Sequence, residues 1–406
     1  MNLNLGAASD FGPDAPKPRI HIIELDYHND VLSDLLELID SKIFDVICST
    51  KIEIHNSLSE AAKTNTQFNL VNKSRTGLKS IAAIKADLHV FNTMASWYRF
   101  WSINLPKPTV IRIHNFNAVF FPLQNIKIGF NFFEWRKAFT HIVFRQLILH
   151  DLFHLHKIKK EALGFSFLSS EIERLFIENC PLQSQKCMPV LPVNWCKNLS
   201  KWQAPSKEIR IVISGTLEPK RKNFQDIEAL CGCLQKCTKS VKLIFAGRVP
   251  KHSLPFILSM KRKETPIFSI HYYETHLSQS DFEQTLESAD ILVFPMAKFT
   301  RYKVFREVYG QTKISGGFND YVRAAKPALV PEFYRLNGNE QLLCRYYHNP
   351  FDLASKCLEL MDELQTEEGQ KQWSDTTKAF QHLFSFEQAQ LTTSEALHYM
   401  LEKTRC

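Results

Sequence analysis

IRIVISGTLEPKRKNFQDIEALCGCLQKCTKSVKLIFAGR, residues 209–248, contains one complete unit of the fold. An apolar, β-branched run (209–217) ends at a glycine and a basic loop. FQDIEALCGCL then shows helical spacing, and a second apolar run (241–247) ends at another glycine. Both runs are apolar on both faces, as parallel strands covered by helices must be. Working outward, the alternation continues with strands at FSIHYYE (268–274), DILVFPM (290–296), PALVPE (327–332) and LCRYYH (343–348). Helical patterns SLPFILSMKRK, QSDFEQTLESA, SGGFNDYVRAA and FDLASKCLELMDEL fall between or after them. Consecutive β-α units predict an α/β fold with a doubly wound parallel sheet. Ligands of such sheets bind outside the carboxyl ends of the strands, so residues at those ends matter most.

The amino-terminal half repeats the pattern less cleanly. Strands are expected at HIIEL (21–25), DVICST (45–50), LHVFNT (88–93), TVIRIHN (109–115), GFSFLSS (164–170) and MPVLP (188–192). The helix DVLSDLLELIDS has Asp30 as its candidate N-cap, and LKSIAAIKA is a second helix. VNWCKNLSKWQAPSKE (193–208) is polar and irregular and sits near the middle of a 406-residue chain, a length that calls for two cores. The expected division is a tail at 1–18, a first domain at 19–192, a linker at 193–207, a second domain at 208–367 and closing helices at 368–406.

Hydrophobic residues at 44% and charged residues at 23% mark a globular chain. The net charge of +8 suits anionic partners, but no Lys/Arg block or RNA-binding signature appears, so nucleic acid is not an expected partner. The ten cysteines show no paired spacing and the amino terminus has no apolar signal core, which points to free thiols and a cytoplasmic setting. Cys231, Cys233 and Cys237 lie on one helical pattern with no fourth ligand nearby, so no metal is expected there. No run of 18 apolar residues suggests a membrane span. Residues 127–160 carry seven Lys/Arg and four His interleaved with Phe, Trp, Ile and Leu. That stretch suits either a core-packed helix with a solvated basic face or contact with a membrane surface.

Several strand ends carry suggestive chemistry. Gly215 and Thr216 close the 209–217 run, and Lys220, Arg221 and Lys222 follow. A glycine lets backbone N–H groups approach a diphosphate and the cations neutralise it; the plainer reading is a solvated basic loop. Gly247 and Arg248 end the next strand, and Glu274 ends the one after. REVYGQTKISGGFNDYVRAAKPALVPE (306–332) concentrates Gly310, Gly316 and Gly317 in a glycine-poor chain. Ser315 can cap the following helix, whose free N–H groups suit an anion, with Lys313 as a cation and Glu307 as a carboxylate for sugar hydroxyls. The alternative is an ordinary capped helix. In the first half, His114 and Asn115 end one strand and Asn92 and Thr93 another. A histidine there is either structural or a donor or base toward a ligand in the interdomain cleft.

These motifs resemble the GT-B glycosyltransferases, and among them the GT4-like group (glycosyltransferases group 1). SGTLEPKRKN is similar to that group's strand-Gly-loop-Lys element, DILVFPM to the strand before its donor loop, and EVYGQTKISGG followed by AAKPALVPE to its E-x-F-G loop, helix and G-x-P-V strand. The resemblance implies two Rossmann-like domains facing a cleft, with Glu307 contacting the donor sugar, Gly310 in the loop turn and the cations of 220–222 on the diphosphate. IRIHN resembles the strand whose terminal histidine faces the donor sugar, which gives His114 that role. Ser315 stands where the group has a second glutamate that holds the ribose; Glu274 and Asp320 are the candidates to replace it. Ala325 stands where a glycine is common. The implied activity is retaining sugar transfer from a nucleoside-diphosphate sugar to a glycan or lipid-linked acceptor, in surface polysaccharide or glycolipid synthesis; no D-x-D pair stands at a strand end, so the reaction is expected to be metal-independent, with no obligatory cofactor. Sugar-nucleotide epimerisation and a non-catalytic accessory role are the alternatives.

Overall fold

The computed structural model describes residues 16–26, 28–72, 74–94, 105–127, 136, 139, 151–192, 194–197 and 207–405. Two parallel sheets with flanking helices form the molecule. The first contains β1 (Arg19–Glu24), β2 (Asp45–Thr50), β3 (Gln67–Leu70), β4 (Leu88–Thr93), β5 (Thr109–Ile113), β6 (Gly164–Phe167) and β7 (Cys187–Met188). Their order is β3-β2-β1-β4-β5-β6-β7. The second contains β8 (Glu208–Ser214), β9 (Ser240–Arg248), β10 (Phe268–Tyr273) and β11 (Ile291–Val293), then, after a separate hairpin of β12 (Phe299–Tyr302) and β13 (Phe305–Val308), β14 (Ala328–Pro331) and β15 (Cys344–Tyr347). Its order is β10-β9-β8-β11-β14-β15. In each sheet the order reverses beside the first strand, between β1 and β4 and between β8 and β11, and a crevice for a ligand opens at such a reversal.

Alternation along the strands explains why both faces of the first sheet are apolar. Ile20, Ile22, Leu88 and Val90 enter one core, while Ile23, Phe91, Ile111 and Phe165 enter another on the opposite face. The second sheet is enclosed in one large cluster that runs from Cys196 to Phe380. The two closing helices part company. Glu367–Leu383 gives Trp373 and Phe380 to the second core, whereas Phe386–Arg405 crosses back and gives Leu397, Met400 and Leu401 to the first.

Several local expectations change. His28, not Asp30, is the N-cap of helix Asn29–Leu38, in the left-handed region at φ 118°, and Asp30 falls in the first turn. The strand expected at 188–192 is only Cys187–Met188, because Pro189 and Pro192 have no N–H for a ladder. Strand β3 and the β12–β13 hairpin were not expected at all. The linker lies largely outside the described residues; within it, Trp195 and Cys196 are buried. Much of 127–160 also lies outside them. Its described end, helix Asp151–Glu161, buries Leu155 and Ile158 and leaves Phe153 exposed. Among the described residues no helix is long and apolar enough to cross a membrane.

Candidate functional site

The carboxyl ends of β8 and β9 are held together by their glycines. Gly215 sits at φ +81° and its N–H donates to Ala246 O at 2.9 Å. A Cβ on Gly247 would lie 2.4 Å from the carbonyl carbon of Gly215 and 2.9 Å from Thr216 N, so only glycine lets the two loops meet. Leu217 N donates to Arg248 O, which gives the Arg248 backbone a structural part as well. The three cations of the loop differ from one another. Lys220 and Arg221 are exposed. Lys222 is buried, its Nζ donates to Ser214 O at 2.5 Å, and burial pushes its pKa down to about 8.

The glycine-rich segment 310–317 arrives at the same edge. Gly310 has φ +78°, and a Cβ there would crowd Tyr334 at 3.0 Å. Ser315 caps helix Gly316–Ala324, its hydroxyl accepting from Gly317 N at 3.2 Å. A Cβ on Gly317 would meet the Phe294 ring at 2.8 Å, whereas Gly316 borders open space. Asp320, on this helix, is raised by burial and sits in the field of Arg323 and Lys222. Ala325, the C-cap, takes φ 48°, which explains why the resembling group favours glycine there. Arg221 lies close enough to both Lys222 and Lys313 to depress each amine further, after burial. The basic loop and the glycine-rich segment meet through residues 297–298, Ala297 N donating to Arg221 O at 3.0 Å and Tyr309 N to Lys298 O at 3.2 Å, beside the Ser315-capped helix N-terminus. Glu274 does not join them; it is exposed beyond β10, at the outer edge of the sheet.

Opposite stands the switch point of the first sheet. His114 is buried, and its Nε2 lies 2.7 Å from Asn92 O; a carbonyl can only accept, so Nε2 carries the proton. Its pKa is driven well below the ordinary value by burial and then by His28. The His28 ring stacks on it, with centroids 4.3 Å apart. Burial, followed by Lys313 and Arg112, lowers His28 to about 4. Beneath them Arg112 donates to Asn92 Oδ1 at 2.6 Å and to Leu191 O at 3.1 Å, and Asn92 Nδ2 donates to Glu24 Oε2 at 2.8 Å. Burial raises Glu24 to about 7. Glu24, His28 and Arg112 escaped the reading of the sequence. The signal for Glu24 and His28 was their place just inside and just after β1, the strand at the reversal; Arg112 reads as one charge interrupting an apolar strand.

The two edges touch. Glu307 is wholly buried, raised to about 7 by desolvation, and accepts from Asn117 N at 3.3 Å and Ala118 N at 2.9 Å. Lys313 Nζ donates to Asn115 Oδ1 at 2.6 Å. Asp34 of the first domain pairs with Arg323 of the second, and Lys197 joins at 3.2 Å. Among the described residues no three His, Cys, Asp or Glu side chains gather as a metal would require. A cavity lined by Arg19, Asp45 and Gln67 opens at the opposite, amino-terminal ends of the strands, away from all these groups.

No protein-family profile and no curated protein matches the chain. Solved structures do. A glycosyltransferase from Rickettsia africae is 13% identical, with 95% of this chain and 98% of that one covered and a TM-score of 0.59. Anabaena HepE, solved in complex with UDP, is 12% identical over 94% of this chain and 100% of its own, also at 0.59. The N-terminal domain of a Candida albicans trehalose-6-phosphate phosphatase is 12% identical over 96% and 97%, at 0.57. Their common architecture and the two facing parallel sheets show that this chain has the two-domain GT-B fold.

Proposed function

We propose that the chain is a glycosyltransferase that takes a sugar from a nucleoside diphosphate. The observation that carries this reading is the meeting of the Lys220–Lys222 loop with segment 310–317, where Ala297 N donates to Arg221 O, Tyr309 N to Lys298 O and Lys313 Nζ to Asn115 Oδ1, beside the capped N-terminus of helix Gly316–Ala324 at a sheet reversal facing His28 and His114. Fixed cations and free N–H groups are what a departing diphosphate needs as the glycosidic bond breaks. Gly215, Thr216, Gly247 and Arg248 shape the floor, and Gly310, Ser315, Gly316 and Gly317 shape the wall. The acceptor, a glycan or lipid-linked group, enters from the first domain, where the neutral imidazoles and Asn115 provide polar contacts. The absence of a D-x-D pair at a strand end favours a metal-independent reaction.

Because HepE was solved with UDP, that nucleotide and UDP-glucose are the first probes. Thermal stabilisation against a panel of nucleotides and nucleotide sugars tests the site, since a ligand of the folded state raises the melting midpoint by mass action. A rise that Arg221→Ala abolishes supports the reading; no rise with any of them sinks it. A non-catalytic role on the same fold is the second reading, and it is favoured by one observation: first-domain amides occupy Glu307. Nucleotide binding without turnover would select it.

A further inference from the structure

The hairpin Phe299–Val308 lies within the second domain's sequence, yet beyond its own ladder it also bonds to the first domain. Phe305 bridges Ile126 in antiparallel fashion, Arg306 N donates to Asn125 O at 2.8 Å, and Lys127 N donates to Val304 O at 2.9 Å. Residues 125–127 thus serve as a third strand on the hairpin. Ala118, Val304 and Phe305 form an apolar cluster of their own at this junction. The next residues continue the contact. Asn117 Nδ2 donates to Arg306 O at 2.9 Å, Phe116 N donates to Thr312 O at 2.9 Å, and the Glu307 carboxylate accepts the Asn117 and Ala118 amides. With Glu307 at 0% exposure, no ligand atom can touch it until those amides leave.

We propose that the hairpin Phe299–Val308 is an interdomain strap fastened by Glu307, and that ligand occupancy of Glu307 and closure of the strap exclude each other. The carboxylate has two sets of partners, the amides of helix Phe116–Phe120 or the hydroxyls of a sugar, and it cannot satisfy both. A ligand that binds only the unstrapped form shifts the population toward it by its differential affinity. The order of events follows: the domains separate at 116–127 before a sugar reaches Glu307, and they reclose when it leaves. The choice of a nucleotide sugar as ligand rests on the function proposed above; the strap itself does not.

Hydrogen exchange on the full chain tests it in two arms. In the ligand-free arm, Val304→Asp places a charge in the strap's apolar cluster, away from the proposed binding residues, and Val304→Ala serves as the milder change. Amides of 116–127 and 299–308 are expected to exchange together in Val304→Asp, more than about tenfold faster than in the parent, the least that an unpaired carboxylate in an apolar cluster implies. In Val304→Ala both segments speed up by the same, smaller factor. Independent rates in the two segments would overturn the strap. In the ligand arm, UDP-glucose is expected to speed exchange in both segments while UDP, which lacks the glucosyl group that would reach Glu307, leaves them unchanged. Slower exchange with UDP-glucose would overturn the mutual exclusion. If neither nucleotide binds, the proposed function fails, and the ligand-free arm still decides the strap.

Discussion

Asp34→Leu should weaken the molecule at the junction of its domains, and the size of the effect can be worked from the ion pair it breaks. Asp34 is on helix Asn29–Leu38 of the first domain and Arg323 on helix Gly316–Ala324 of the second; their side chains are 2% and 10% exposed. Burial by itself would push the Arg323 guanidinium down, but the charge and hydrogen bond of Asp34, with the charges of Asp320 and Asp30, outweigh it and hold the group above its ordinary value. Removing Asp34 leaves a buried cation with the weaker fields of Asp320 and Asp30. Breaking one side of a buried pair costs about 3–5 kcal/mol, and the lower end applies here because those carboxylates remain. Unfolding entropy of about 2.1 cal/mol/K per residue, over the 406 residues, gives ~0.85 kcal/mol/K, so ~3 kcal/mol lowers the melting midpoint by about 3–4 °C if the chain unfolds as one unit. The double variant Asp34→Leu with Arg323→Met replaces the pair by apolar side chains and should recover most of the loss. Calorimetry on the parent, both single variants and the double closes a cycle that isolates the coupling. A midpoint for Asp34→Leu within about 1 °C of the parent, or a double variant no better than the singles, would refute the reasoning.

Gly247→Ala should lose about 1–3 kcal/mol in urea denaturation, because the new methyl meets the backbone of Gly215 and Thr216, which cannot rotate away. Arg221→Ala should leave the ligand-free melting midpoint unchanged, since its side chain is 61% exposed and its Glu218 partner is 3.8 Å away, while weakening nucleotide binding. Lys222→Ala, by contrast, should lower the ligand-free midpoint because Ser214 O loses its donor; calorimetry separates the two roles. His21 and His89 share a hydrogen bond between their Nδ1 atoms at 3.0 Å, and burial, with His89 adding its charge, holds His21 at about 3, while burial holds His89 at about 4. Both folded pKa values lie below the ordinary 6.5, so the unfolded chain takes up protons first, and this contribution to stability should fall as pH drops from 6.5 toward about 4. Urea titrations at stepped pH, with imidazole nitrogen shifts read in parallel, check it; protonated rings in the folded protein at pH 5.5 would contradict it.

Local patterns carried most of the architecture. Strands β9 and β10 were legible within a residue, and β8 to within three at its carboxyl end, because each is an apolar run ended by a loop, and a run covered on both faces looks the same wherever it stands. The Ser315 cap was legible because its chemistry is local: a hydroxyl two residues from the N–H it accepts. Strand β3, QFNL, hides because it is half-exposed and short. The β12–β13 hairpin hides for a different reason. Its turn places Lys303 at φ 57° without the glycine or asparagine that usually announces such a turn, and beyond their pairing with each other its strands gain a further partner from residues 125–127, far off in the chain.

The sequence by itself determined most of the elements, the order of β-α units and the carboxyl-terminal strand ends where chemistry had to be sought, because hydrophobic period and capping act within a few residues. Only the tertiary structure decided how the charged groups are spent. Lys222 turns inward to its own strand, Arg221 stays outside, and Glu307 crosses to amides 190 and 189 residues away in the chain. Whether a carboxylate meets solvent, a ligand or a helix N-terminus depends on what two separately folded sheets bring against it. No periodicity along the chain encodes that, because burial and partner are properties of the packed pair of domains.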